Sequence, residues 1–385
     1  MQEFTLRNAT VFTGTDVLTH TSVRVSNGLI QEISSGELTG SEPIDLQEQW
    51  LVPGFVDLQV YGGSDFFLNE LPTAETVAHI YQTHLKNGTT SVLPTLYSTS
   101  LEVMLKAIAA VRAVRQTNPN GVLGLHVEGP YVNAIKRGVH SLQYVRLPVD
   151  AELDILFEAG HDVIRILTIA PEIFSPEQLA RLIDRTANTS TQLSLGHSNA
   201  TYQEATAAFA NGITLGTHLY NAMRPFESRE PGVVGAIFDH PAVRASIVVD
   251  GFHCDWAAIR LAKRVLGERL FLISDAIFAN PPQPTYAFED FTLQYENGRY
   301  TNHEGKLAGS SITLLNAVQN SIHHVGLDAA EAFRMASTVP AEIIGLGDSL
   351  GKIQPGFVAN LVVLNQDLAV SRVLVSGQFQ PSVST

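Results

Sequence analysis

The sequence predicts an α/β chain: a (β/α)8 TIM-like barrel beside a small β-sandwich domain formed by both chain termini. Three observations predict it. Eight short, almost wholly apolar segments recur from VPGFVDLQV to LFLISDA, which is how strands buried on both faces of a parallel sheet read. Amphipathic stretches separate most of them, as crossover helices must. Both ends of the chain instead alternate apolar and polar residues, the pattern of half-buried antiparallel strands.

The first fifty residues hold FTLRNATVFTG, TSVRVSNGLIQEIS and PIDLQEQW, with Asn27-Gly28 as a hairpin turn between two alternating runs. At LVPGFVDLQV the pattern becomes a buried strand. TTSVLPTLY, VLGLHVEGP, VIRILTIAPE, TQLSLGHS, ITLGTHLY, RASIVVDG and LFLISDA follow as strands two to eight. TAETVAHIYQTHLKNG, SLEVMLKAIAAVRAVRQ, AELDILFEAG, SPEQLARLIDRTAN, YQEATAAFANG and DWAAIRLAKRVLG are the helices between them. YQEATAAFANG is expected to start at Ser198 or Asn199 as N-cap and to leave through Asn211-Gly212. The eighth unit is interrupted by FTLQYENGRYTNHEGKL, read as an inserted hairpin turning at Asn297-Gly298, before two further helices complete the barrel. From GKIQPGFVANLVVLN the β pattern returns. The expected division is residues 1–50 and 350–385 in the terminal β domain and 51–349 in the barrel. An open doubly wound sheet is the alternative, but no GxGxxG turn follows the first strand.

At 385 residues, with 45% hydrophobic and 16% charged residues, the composition is that of a folded enzyme with a large core. A net charge of −14 without a long basic run argues against nucleic acid and anionic membranes as partners. No apolar run reaches membrane-spanning length and the first residues lack a signal-peptide pattern. The single cysteine, Cys254, excludes intrachain disulfides and fits a reducing cytoplasm.

The ends of the strands carry the chemistry. The βα unit from Leu193 to Met223 delivers His197 and His218 where two neighbouring apolar runs stop, at the carboxyl ends where barrel enzymes keep their active sites. Strand three ends in Glu128, strand seven in Asp250 with His253 beyond it, and strand eight in Asp275. Any one of these could be a loop anchor; such residues at five strand ends on one rim point to a site. A carboxylate and two imidazoles with an open position suit a catalytic zinc, and an aspartate nearby could take a proton from its water.

The segments PGFVDLQ, LHVEGPYVN with KRGVH, LGHSNATY, THLYNAM, REPG, VDGFHCDW, SDA and LAGSS resemble the N-acetylglucosamine-6-phosphate deacetylase family of the amidohydrolase superfamily. GHSNATY and THLYNAM are the specific motifs; PGFVDL marks only the superfamily. The resemblance implies hydrolysis of the acetamido group of an amino-sugar 6-phosphate to the free amine and acetate, in amino-sugar catabolism. It implies Glu128, His197 and His218 as ligands of one divalent ion per subunit, Zn2+ foremost, with Fe2+, Mn2+ or Co2+ as options. Asp275 would be the acid–base and His140 the group polarising the amide carbonyl. Asn221, Ala222, Arg229, His253, Gln59 and Gly309 would contact the substrate, in a homodimer where Arg229 reaches the neighbouring active site.

One departure stands out. Many members of the superfamily carry His-x-His at the end of strand one and bind two metals, where this chain has Gln59-Val60-Tyr61. An amide is a poor ligand and a phenol would have to ionise, so a second metal is not expected. Two other readings compete with hydrolysis of this sugar. An inactive scaffold on the same fold would have lost metal ligands that remain here. Another amidohydrolase is the nearer rival, above all one acting on the galactosamine epimer, which differs at a single hydroxyl.

Overall fold

In the computed structural model, residues 3–36, 38, 42–187, 189–279, 284–288 and 291–381 are described. Parts of the expected terminal segments, residues 1–2, 37, 39–41 and 382–385, lie outside them.

Eight parallel strands form one sheet in sequence order. They are β1 (Phe55–Val60), β2 (Thr89–Tyr97), β3 (Leu125–Glu128), β4 (Ile164–Ile169), β5 (Gln192–Leu195), β6 (Leu215–Gly216), β7 (Arg244–Val248) and β8 (Leu270–Ile273). Every residue of β1, β2, β3 and β8 is buried, because helices cover the outside and side chains fill the inside. The ring closes just beyond the last strand. The Asp275 amide donates to the Gln59 carbonyl at 3.0 Å, the Tyr61 amide to the Ala276 carbonyl at 2.9 Å, and a parallel bridge joins Val60 to Ala276. That closure sets the residues after β1 and β8 side by side.

Between β5 and β6 the helix spans Tyr202–Ala210. Its N-cap is Thr201, not Ser198 or Asn199: Thr201 and Glu204 form a reciprocal capping box, while the Ser198 hydroxyl donates to Glu172 at 2.7 Å. Strand β6 is only two residues long, so Thr217 and His218 already belong to the loop.

Strands from both chain ends share an eight-stranded sheet with its own apolar core, including Phe4, Leu6, Val23 and Leu361. The antiparallel pairing of Trp50–Pro53 with Leu361–Leu364 joins the two ends. Asn27 and Gly28 take φ of +54° and +79° between the paired residues Ser26 and Leu29, the left-handed turn that suits a two-residue hairpin. Phe333, on the helix Ala329–Ala336, packs against Phe12, Trp50 and Phe55 and so ties this sheet to the barrel.

The interruption after β8 is a three-stranded sheet, Thr285–Phe288, Phe291–Glu296 and Arg299–Asn302, rather than a simple hairpin. The extra strand is anchored by Tyr286, whose ring meets Phe67 at 5.5 Å and Phe278 at 4.9 Å between centroids. Among the described residues no helix is long and apolar enough to cross a membrane.

Candidate active site

A cavity of about 240 Å3 opens at the carboxyl ends of the barrel strands, lined by Tyr61, Glu128, His140, His197, His218, Asn221, Ala222, His253, Asp275 and Gly309, among others. Three of the titratable residues among these share a backbone feature. His197, His218 and Asp275 each stand two residues past the end of a strand with positive φ, +48°, +39° and +56°. Non-glycine residues seldom adopt this region, and such strain is held where surrounding structure demands it.

Glu128, at the end of β3, is the hub. It is 1% exposed. Its Oε1 lies 3.2 Å from His197 Nε2, 2.9 Å from His218 Nε2 and 3.2 Å from the Gln59 amide nitrogen. Its Oε2 accepts from the Tyr61 hydroxyl at 2.5 Å and lies 3.6 Å from His140 Nε2. Burial opposes its charge, but the surrounding imidazoles outweigh burial and hold the carboxyl well below its ordinary range.

The tautomer of His197 follows from its partner. Its Nδ1 is 2.9 Å from the Lys136 carbonyl, which can only accept, so Nδ1 carries the hydrogen and Nε2 presents a lone pair. That lone pair faces His218 Nε2 at 3.1 Å and the carboxylate oxygen at 3.2 Å. Three electron-rich atoms so close repel unless a proton or a cation lies between them. On a tetrahedral zinc with bonds of about 2.0–2.2 Å, neighbouring ligands stand roughly 3.3 Å apart, close to the spacing here. The donor set therefore fits a divalent ion.

Two groupings of ligand atoms compete. Glu128, His140 and His197 also offer atoms within 4.8 Å of one another. His218 is better aimed, because its Nε2 and that of His197 converge on the same oxygen, whereas His140 approaches only the other one and more distantly. His140 has a separate fixture: its Nδ1 is 2.7 Å from the Ser98 hydroxyl. Burial pushes the ring down to about 4, so it is neutral near pH 7.

Asp275 is 5% exposed, and burial raises its carboxyl to about 6 against the pull of His218. Tyr61 lies between the two acids, its oxygen 3.3 Å from Asp275 Oδ1. Burial and then the charges of Asp275 and Glu128 push the phenol well above its ordinary range, so it remains a donor.

Other predicted residues distribute unevenly. Asn221, Ala222 and Gly309 line the cavity, and a Cβ at Gly309 would stand 2.5 Å from the Asp275 carbonyl. Gln59 does not line it: its side chain is buried behind Glu128 and donates to Tyr61 at 2.7 Å, because the barrel closure turns it away from the opening. His253 lines the cavity with both ring nitrogens engaged, Nδ1 by Asp250 at 2.7 Å and Nε2 by the Ala308 carbonyl at 2.8 Å. Burial disfavours its charge, yet the hydrogen-bonded Asp250 carboxylate outweighs this and raises its pKa. Arg229 is exposed and outside the cavity lining of this chain. Cys254 is packed, its thiol pushed by burial up to about 12.

Several side chains escaped the sequence reading. Glu172, beyond β4, accepts from Asn133 at 2.9 Å, Ser198 at 2.7 Å and the Asn199 amide at 2.7 Å, fastening the loop that carries His197. Its position at a strand end in the run IAPE was the available signal. Ser98, just past β2, had none beyond its place. Lys306 lines the cavity from the insertion, and its partner Glu304 also binds Arg137 at 3.1 Å, on the loop that carries His140.

A family model described as the amidohydrolase family matches residues 50–379. The N-acetylglucosamine-6-phosphate deacetylase of Haemophilus influenzae is 37% identical over 98% of this chain and 99% of its own. An N-acetylgalactosamine-6-phosphate deacetylase of a Shewanella species is 35% identical over 96% of this chain and 94% of its own. The crystal structure of N-acetylglucosamine-6-phosphate deacetylase from Pasteurella multocida superposes with a TM-score of 0.92 at 34% identity, covering 98% of this chain and 99% of that one.

Proposed function

Because the chain belongs to the amidohydrolase family, we propose that it hydrolyses the acetamido group of N-acetylglucosamine 6-phosphate to glucosamine 6-phosphate and acetate. The observation that carries this reading is the convergence of Glu128, His197 and His218 beside Asp275 and His140 in one cavity.

Glu128, His197 and His218 would hold one divalent ion, for which Zn2+ suits the nitrogen and oxygen donors best, with Fe2+, Mn2+ and Co2+ as alternatives. When bound, such an ion supplies Lewis acidity that acidifies a water and polarises a carbonyl. Asp275 accepts a proton from the attacking water as the new C–O bond forms; a carboxyl poised near 6 takes and returns protons readily around neutrality. His140 donates its Nε2–H to the acetyl oxygen as charge develops there, which requires the Ser98 hydroxyl to donate to Nδ1. Asp275 then returns its proton to the sugar nitrogen as the C–N bond breaks, and acetate and the free amine leave. Stoichiometric acetate release from this substrate by the purified protein tests the proposal; a protein that releases none refutes it.

Asn221 and Ala222 would contact the sugar phosphate, and Gly309 leaves room for the sugar beside Asp275. The His253 imidazolium, paired with Asp250 and with both N–H groups engaged, would face the phosphate without a free N–H to give it. Arg229 would serve the phosphate of a neighbouring subunit in a homodimer, since a guanidinium can grip two phosphate oxygens. Arg229→Ala should then lower kcat/KM for the phosphorylated sugar by about 10- to 150-fold per charge-assisted bond lost. The slow reaction of the unphosphorylated sugar should barely change, and mixing with Asp275→Asn chains should restore some activity. Equal loss on both sugars would assign Arg229 to structure. A second reading, hydrolysis of the galactosamine epimer, draws on the Shewanella relative.

A further inference from the structure

Tyr61 stands where the barrel closes and touches both acids of the site. It follows directly on β1, two residues after Gln59, and its hydroxyl meets the Gln59 side chain. The ring is 6% exposed and belongs to a buried hydrophobic cluster with Phe67, Tyr97 and Ile277, which fixes its direction. The hydroxyl oxygen is 2.7 Å from the Gln59 amide nitrogen, 2.5 Å from Glu128 Oε2 and 3.3 Å from Asp275 Oδ1.

A phenol has one hydrogen to give. The Gln59 amide nitrogen can only donate, so it places its hydrogen on the phenol oxygen and leaves the phenol hydrogen free for a carboxylate. Of the two carboxylate oxygens, Glu128 Oε2 is the nearer. Gln59 also reaches Glu128 Oε1 at 3.2 Å, so a linked pair, Gln59 and Tyr61, grips the carboxylate plane at both oxygens. Glu128 cannot rotate without breaking the Tyr61 bond, and Oε1 stays directed at the imidazoles of His197 and His218.

We infer that Tyr61 is a positioning residue that fixes Glu128 as a one-oxygen ligand and thereby sets the affinity of the site for its divalent ion. The inference rests on the reading of Glu128, His197 and His218 as the ligands. Hydrogen-bond partners of metal ligands commonly govern affinity in this way, and their loss weakens binding about 10- to 100-fold. The aromatic ring alone explains burial; only the hydroxyl explains the grip on Glu128.

Competition between the full-length metal-free chain and a chromogenic chelator for Zn2+, without substrate, tests it. Wild type should bind one equivalent per chain, and Tyr61→Phe should bind one equivalent about 10- to 100-fold more weakly while keeping the wild-type circular dichroism spectrum. Equal affinities in a folded Tyr61→Phe chain would overturn the inference and leave the ligand set intact. Failure of wild type to bind would instead overturn the ligand set, and the inference with it. If Tyr61→Phe does not fold, Gln59→Met takes its place: it removes the donor that directs the phenol hydrogen to Glu128 and the bond to Oε1, and should weaken binding in the same direction; unchanged affinity would count against the grip.

Discussion

Asp275→Asn should keep its fold and its bound ion and lose about 10²- to 10⁴-fold in kcat, the usual worth of a general acid–base, with more possible because the same group acts twice. Asparagine matches the carboxylate in shape, and the backbone bond from residue 275 to the Gln59 carbonyl does not involve the side chain. What is lost is an acceptor for the proton of the attacking water and a donor for the leaving nitrogen. The site supplies no obvious substitute: His140 is neutral but faces Glu128 and Ser98, and both nitrogens of His253 are already engaged. The check is kcat with metal content measured on the same sample. A variant that retained more than roughly a tenth of wild-type turnover would remove Asp275 from the role, since that loss falls below the range expected of a general base.

His140→Ala should lower kcat by about 10²- to 10³-fold, the effect of deleting one donor to a developing oxyanion. Because the charge exists only in the transition state, KM should move little. The same variant decides between the two ligand groupings. If His140 polarises the carbonyl, the alanine chain binds its ion like wild type and fails in turnover. If His140 is instead a ligand beside Glu128 and His197, the ion is lost, and adding excess metal recovers part of the activity.

The barrel was legible because burial on both faces writes itself into consecutive residues: all nine of Thr89–Tyr97 are buried, and they read as one strand. His197 and His218 were legible as the polar residues that stop two such runs. The turns at Asn27-Gly28 and Asn297-Gly298 were legible because only a few residue types accept positive φ at adjacent positions. Contacts made across the ring were not. Tyr61 meets Glu128 and Asp275 across 67 and 214 residues of sequence, and nothing local to VYGG announces a donor. Gln59 was expected to face the substrate, yet barrel closure turns it behind Glu128. Ser198 looked like a helix cap until Glu172, from the neighbouring unit, claimed its hydroxyl. The engagement of both His253 nitrogens depends on Ala308, beyond the insertion. Sequence patterns report what a residue is buried by in bulk; they do not report which distant side chain meets it.

Acetate release from a panel of N-acetyl sugars, with and without the 6-phosphate, decides whether this chain is a deacetylase of phosphorylated amino sugars. Turnover of N-acetylglucosamine 6-phosphate is expected, with kcat/KM at least about 10-fold above the unphosphorylated sugar, because each charge-assisted bond to the phosphate contributes about 1.5–3 kcal/mol. The galactosamine epimer is included because a relative at 35% identity bears that name. Faster hydrolysis of the epimer would move the substrate assignment while sparing the mechanism. No acetate from any phosphorylated sugar, from a chain shown to hold its ion, would rule out this activity.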